Sequence, residues 1–170
     1  MRLLKTAIHP SISNATSTQF TRLTGRAIVL RDNTILLMFT KRYEDYSLPG
    51  GGIDEDETIE QGLIRELQEE TGAQNIKVLG EFGLYEEFRP WYKDDFDVIN
   101  IKSYCYFCSI DAQLGQSQLE HYEQQNGMVA KWVDIHEAIA HNERTLANSD
   151  KQGLSIIRET YLLKEIVKKL

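Results

Sequence analysis

Only two cysteines and three prolines occur in this 170-residue chain, and bases are outnumbered by acids, 19 to 26. Two cysteines cannot make a disulfide-stapled scaffold, and such sparing use suits a reducing compartment. They lie as Cys105 and Cys108 in IKSYCYFCSI, a stretch that reads as a strand. On a strand, residues three apart point to opposite faces, so the pair is expected to share neither a metal nor a disulfide. A net charge of −7 argues against a broad electrostatic grip on long nucleic acid. A small anionic substrate stays compatible with it, provided a divalent cation stands between acidic residues and that substrate. Long apolar runs are also missing. None approaches the roughly 20 residues of a membrane helix. The N-terminus carries Arg2 and Lys5 but no apolar signal-peptide segment. The expectation is a cytoplasmic protein with no membrane partner.

The length suits one domain with its own core. Residues 1–20, rich in Ser, Thr and Asn, read as an N-terminal arm or short hairpin, and residues 21–170 as the domain proper. GRAIVLRD and TILLMFTKR read as strands joined by a turn at Asp32-Asn33. YSLPGG reads as a short strand entering a glycine loop. Thr58 to Thr71 reads as a helix with Ile59, Leu63 and Leu67 in one apolar stripe, capped by Asp56 or Thr58 and stopped by Gly72. NIKVLGEFGLYEEF and DVINIKSYCYFCSI form a long hairpin around RPWYKDDFD. LEHYEQQNG is a loop or helical turn, MVAKWVDI a last strand, and a helix starts at Asp134. The tail is a second amphipathic helix with Ile156, Ile157, Tyr161, Leu162 and Ile166 as its apolar set. Strands interleaved with flanking helices predict an α/β class fold, an α/β/α sandwich around a mixed β-sheet.

The chemistry concentrates in PGGGIDEDETIEQGLIRELQEETGA, from Pro49 to Ala73. Glu66, Glu69 and Glu70, at i, i+3 and i+4, share an arc of the helix beside the apolar stripe. Like charges so placed repel by a few tenths of a kcal/mol in water, and by more when partly desolvated. A divalent cation removes that repulsion, and Mg²⁺ or Mn²⁺ prefers such hard oxygen ligands. Three glycines after Pro49 let the backbone turn sharply and present its polar groups unobstructed. Arg65 can fork onto Glu57, eight residues earlier.

Gly51, Glu57, Arg65, Glu66, Leu67, Glu69, Glu70 and Gly72 fit the spacing G-x5-E-x7-R-E-U-x-E-E-x-G-U, with Ala73 at the last aliphatic position as a mild departure. In these residues the chain resembles the Nudix hydrolase family, of which MutT is a member. The order of elements over roughly residues 20–168 is also Nudix-like. The resemblance implies metal-assisted attack of water on a diphosphate within a nucleoside diphosphate linked to another moiety. It implies Glu66, Glu69 and Glu70 as ligands of Mg²⁺ or Mn²⁺, with the Gly50 carbonyl beside them. Arg65 and Glu57 then brace loop and helix, and Gly51 and Gly72 shape the motif. The general base is either Glu69 or an acid on a distant loop, where Glu123 is preferred over Glu120. Arg26, Arg42, Tyr46, Arg89 and Lys93 are the expected substrate contacts. The four histidines show no ligand spacing. The partner is a small nucleotide, not a nucleic acid polymer, and relatives are often homodimers. Two other readings keep the fold: a non-catalytic nucleotide-binding sensor, which would usually have lost acids of the motif, and an isomerase of isoprenoid diphosphates, which would need an additional histidine cluster.

Overall fold

The computed structural model describes residues 1–13 and 18–170. Eight strands and four helices are found among them. One sheet runs in the order β1 (Leu3–Ile8), β6 (Lys77–Pro90), β7 (Val98–Ser109), β2 (Gln19–Ile28). It is mixed: β6 and β7 form the expected long antiparallel hairpin, while β1 lies parallel to β6 and β2 parallel to β7. The other sheet is antiparallel. Its centre is β4 (Thr34–Thr40), flanked by β3 (Leu30–Arg31), β5 (Asp45–Ser47) and β8 (Met128–Asp134). The β3–β4 turn falls at Asp32-Asn33, and Asp32 takes a positive φ of 50°, as tight hairpin turns demand.

Helices cover both faces. The first, α1 (Ile59–Thr71), buries Leu63 and Leu67 against Ala27, Val29, Leu36, Tyr106 and Cys108. On the opposite side α3 (Ile135–Asn148) and α4 (Ile156–Val167) bury Ile135, Ala138, Leu162, Leu163 and Ile166 against Ile28, Leu37, Tyr85 and Cys105. Short helix α2 (His121–Asn126) precedes β8. Cys105 and Cys108 thus sit in different cores, as the period of two requires, and burial pushes both thiols up to about 12.

Two expectations change. Of the first residues, read as an arm or short hairpin, Leu3–Ile8 form β1, an edge strand along β6, and the Tyr161 hydroxyl donates to the Leu4 carbonyl at 3.1 Å. Residues 14–17, part of the expected arm, lie outside the described residues. On α4, Ile157 is exposed and Leu163 is buried in its stead. The helix packs against both α3 and β5, so its buried arc is displaced from the stripe read off the sequence.

Candidate active site

Local sequence sets the frame. Thr58 caps α1: its hydroxyl accepts the Gln61 N–H at 3.2 Å, and the Gln61 side chain accepts the Thr58 N–H at 2.9 Å. The helix ends on Gly72 in the left-handed conformation. Between β5 and α1 the glycine loop is laced to β2, with Ala27 N–H on the Pro49 carbonyl at 2.9 Å and Gly25 N–H on the Gly51 carbonyl at 3.0 Å. Gly50 has φ 136°, and a Cβ there would lie 2.0 Å from the Gly25 carbonyl oxygen. No side chain is tolerated at that point. A Cβ on Gly51 would meet the Glu66 carboxylate at 2.5 Å, so the loop lies directly on the acidic helix face.

Arg65 ties this loop to the helix. It forks onto Glu57 at 2.6 and 2.8 Å, reaches Glu66 at 2.8 Å, donates to the Gly52 carbonyl at 3.0 Å, and touches Glu69 at 3.3 Å. The fork onto Arg65 holds the Glu57 carboxyl down at about 2. Glu70 is buried, and its carboxylate accepts the Gly50 N–H at 2.7 Å. Burial pushes Glu70 up to about 8, against that hydrogen bond and the nearby Arg26 charge.

Carboxylate oxygens of Glu66, Glu70 and Glu123 lie within 4.8 Å of one another. Burial raises the pKa of Glu66 and Glu123 as well. Glu123 reaches the group from α2, held by the Glu120 N–H at 2.8 Å and the Tyr122 hydroxyl at 3.3 Å. Buried acids that raise one another's pKa fit a hard divalent cation, which supplies the charge they lack. Glu69 lies outside this trio and leans on Arg65.

The carboxylates form one wall of a cleft of about 770 Å³. Arginines occupy the other. Arg26 donates to the Gly50 carbonyl at 2.7 Å, its buried Nε has no partner among the described residues, and burial together with Arg158 lowers its pKa. On β6 the period of two puts Tyr85, Glu87 and Arg89 on one face, toward α4. There Arg89 donates to Glu87 at 2.8 Å and to the Ser155 hydroxyl at 3.2 Å. Arg158 bonds both Glu87 and Glu159, and the other Glu159 oxygen accepts the Leu48 N–H at 2.9 Å. Asp45, also buried in this cleft, is pushed up to about 6, chiefly by burial and then by Glu159.

Residues 21–154 match the NUDIX domain. The chain belongs to the Nudix family. Over 37 residues it is 57% identical to an RNA pyrophosphohydrolase of Sulfurovum sp. (strain NBC37-1), a match covering 22% of this chain and 24% of that protein. Over 69 residues it is 38% identical to a putative 8-oxo-dGTP diphosphatase of Bacillus subtilis (strain 168), covering 40% and 44% respectively. The chain thus spans less than half the length of either relative. Among solved structures, a NUDIX hydrolase from Nitrosomonas europaea superposes with a TM-score of 0.58 at 18% identity, covering 88% of this chain and 91% of that one. A NUDIX-family hydrolase from Clostridium perfringens gives 0.53 at 14%, covering 89% and 99%. Those likenesses bear on the Nudix fold alone.

Within this Nudix cleft stand Gly50, Gly51, Arg65, Glu66, Glu69, Glu70 and Glu123, together with Arg26 and Arg89. Three expected substrate contacts lie elsewhere. Arg42 donates to Asn126 at 3.1 Å, outside the cleft lining. Tyr46 packs between Phe39 and His141 against the core. Lys93 sits over Trp91 and Tyr92 on the β6–β7 connection. Sequence reasoning missed Arg22, Tyr43, Tyr122 and Arg158, all of which line the cleft. Arg158 carried one signal, a cation within the apolar stretch that opens the last helix.

Proposed function

We propose that this Nudix chain is a metal-dependent hydrolase of a diphosphate bond in a nucleotide derivative: a nucleoside triphosphate, an oxidised nucleotide, a nucleotide sugar or a similar compound. The convergence of Glu66, Glu70 and Glu123 opposite an arginine-lined wall carries this reading. The names of the relatives, a pyrophosphohydrolase and a diphosphatase, support it. Glu66 and Glu70, with Glu69 on the same helix and the Gly50 carbonyl, would hold Mg²⁺ or Mn²⁺. A bound divalent ion supplies charge neutralisation of the diphosphate and makes water a better nucleophile. Glu123 takes the proton of the attacking water. Its carboxyl is buried, raised in pKa chiefly by that burial, and steadied by two hydrogen bonds, which suits a general base. Arg26 and Arg89 bind phosphate oxygens across the cleft, and Arg65 with Glu57 fixes the loop and helix that carry the acids.

The test is a panel of nucleoside triphosphates, oxidised nucleotides and nucleotide sugars with Mg²⁺ or Mn²⁺, products identified by mass spectrometry. Glu70→Gln and a chelator run in parallel. Cleavage within a diphosphate, lost in both controls, is the expected result. Tight binding of one compound without turnover would replace the hydrolase by a sensor.

A further inference from the structure

The cleft does not end at its arginines. Tyr43 and Asn126 line it and also line a second hollow, of about 730 Å³, on the outside of the molecule. Among the described residues, the charged side chains of that hollow are Lys41, Arg42 and Lys151, and no carboxylate lines it. On a chain with a net charge of −7, an all-cationic lining is against the grain of the composition. We propose that this hollow is an anion subsite for a phosphate-bearing extension of the substrate, beyond the bond that is cleaved. The proposal rests on the hydrolase reading and narrows it to substrates longer than a mononucleotide.

The placement is built in. Lys41 N–H donates to the Gly127 carbonyl at 3.2 Å, and Arg42 N–H to the Asn126 carbonyl at 3.0 Å. Arg42 Nη1 adds a bond to Asn126 Oδ1 at 3.1 Å. The strand end that carries the two cations is therefore pinned to the C-terminus of α2, the same helix that carries Glu123. Cations and acids keep a fixed separation across Asn126. The Arg42 guanidinium lies 5.3 Å from the Tyr43 ring centroid, which leaves an aromatic edge at the passage between the hollows. Lys151 pairs with Glu44 at 3.2 Å, but the Lys151 side chain is mostly in water and Glu44 is partly so, and such a screened pair yields readily to a phosphate. A chain of phosphates leaving the cleft past Tyr43 meets Lys41 and Lys151 next. Phosphates of a second nucleotide joined through a polyphosphate, or of an oligonucleotide extended from the cleaved end, present the same chemistry there.

Three ligands separate the cases: ATP as the short one, diadenosine tetraphosphate, and a short 5′-triphosphorylated oligoribonucleotide. The full chain and the double variant Lys41→Ser/Lys151→Ser are compared by initial rates in Mg²⁺ and by calorimetric Kd in Ca²⁺. Both lysines are exposed, and thermal melts check that the variant folds. The expected result is a weakening of at least about tenfold in Kd and KM for an extended ligand, with ATP unchanged. The extended ligand that shows it names the source of the phosphate. Equal loss for ATP, no loss at all, or no binding of either extended ligand would overturn the subsite. Selective loss of binding without hydrolysis of anything would keep the subsite and remove the hydrolase. Hydrolysis with no such selectivity would do the reverse.

Discussion

Glu70 is caught between two demands. Its burial under Gly50 favours the protonated acid, and a metal needs the carboxylate. With its pKa raised from 4.5 to about 8, the folded protein holds a proton there that the unfolded chain has released. Metal-free stability must therefore fall as pH rises through that window, and the loss is complete above it. Thermal melts in chelator from pH 5 to 9 are expected to show this fall, and Glu70→Gln to flatten it. Added Mg²⁺ or Mn²⁺ should raise the melting temperature more at the alkaline end, where no proton competes. An equal metal effect at both ends would remove Glu70 from the ligand set. Asp45 obeys the same sign with a lower window, from 3.8 to about 6. At pH 8 its charge is held in a buried place, so Asp45→Asn should stabilise the protein by about 3 kcal/mol. Near pH 4 the substitution should be close to neutral, because the native side chain is already protonated when folded. Denaturant titrations at the two pH values decide it.

At the scale of elements, α4 is joined to the site by charge as well as by packing. Arg158 lies between Glu87 of β6 and its own neighbour Glu159, and Glu159 in turn holds the Leu48 N–H at the entrance to the glycine loop. Burial alone would depress the Arg158 guanidinium; its two carboxylates outweigh that and keep it charged. Arg158→Ala leaves both carboxylates buried without a cation, which should cost about 3–5 kcal/mol in urea unfolding. Arg158→Lys should recover only part of it, since a single ammonium cannot fork onto two acids. None of this network was legible in the sequence. Glu87 and Arg158 stand 71 positions apart, and nothing in either neighbourhood points to the other. The glycine loop, Arg65 and the acidic face of α1 were legible because their contacts run within one loop and one helix, where spacing alone fixes which side chains meet. Glu123 was legible only through the Nudix resemblance. Arg42, Tyr46 and Lys93 fall outside the lining of the acidic cleft for the converse reason: an aromatic or a cation near a strand end says nothing about which hollow it faces.

For the whole molecule the question is how much chain the site requires. The family match begins at residue 21, and among the described residues the cleft takes no lining residue before Arg22. Yet β1 is part of the sheet. It runs parallel to β6 from Leu3 to Ile8, places Leu4 and Ala7 against the core that contains Tyr85 and Leu162, and gives its Leu4 carbonyl to Tyr161 of α4. An edge strand of this kind contributes by covering apolar surface and by satisfying the outer backbone groups of its neighbour. Sequence reading took these residues for an arm or a short hairpin because β1 is mostly exposed, with Leu4 and Ala7 its only partly buried apolar residues, and a one-faced edge strand leaves a weak pattern. Stability and activity should therefore separate on deletion. Removing residues 1–10 is expected to lower the melting temperature by several degrees while metal-dependent turnover at low temperature persists, with KM little changed. Loss of turnover at a temperature where circular dichroism still reports a folded chain would mean that β1 holds β6, and through it Glu87 and Arg89, in the geometry the cleft requires.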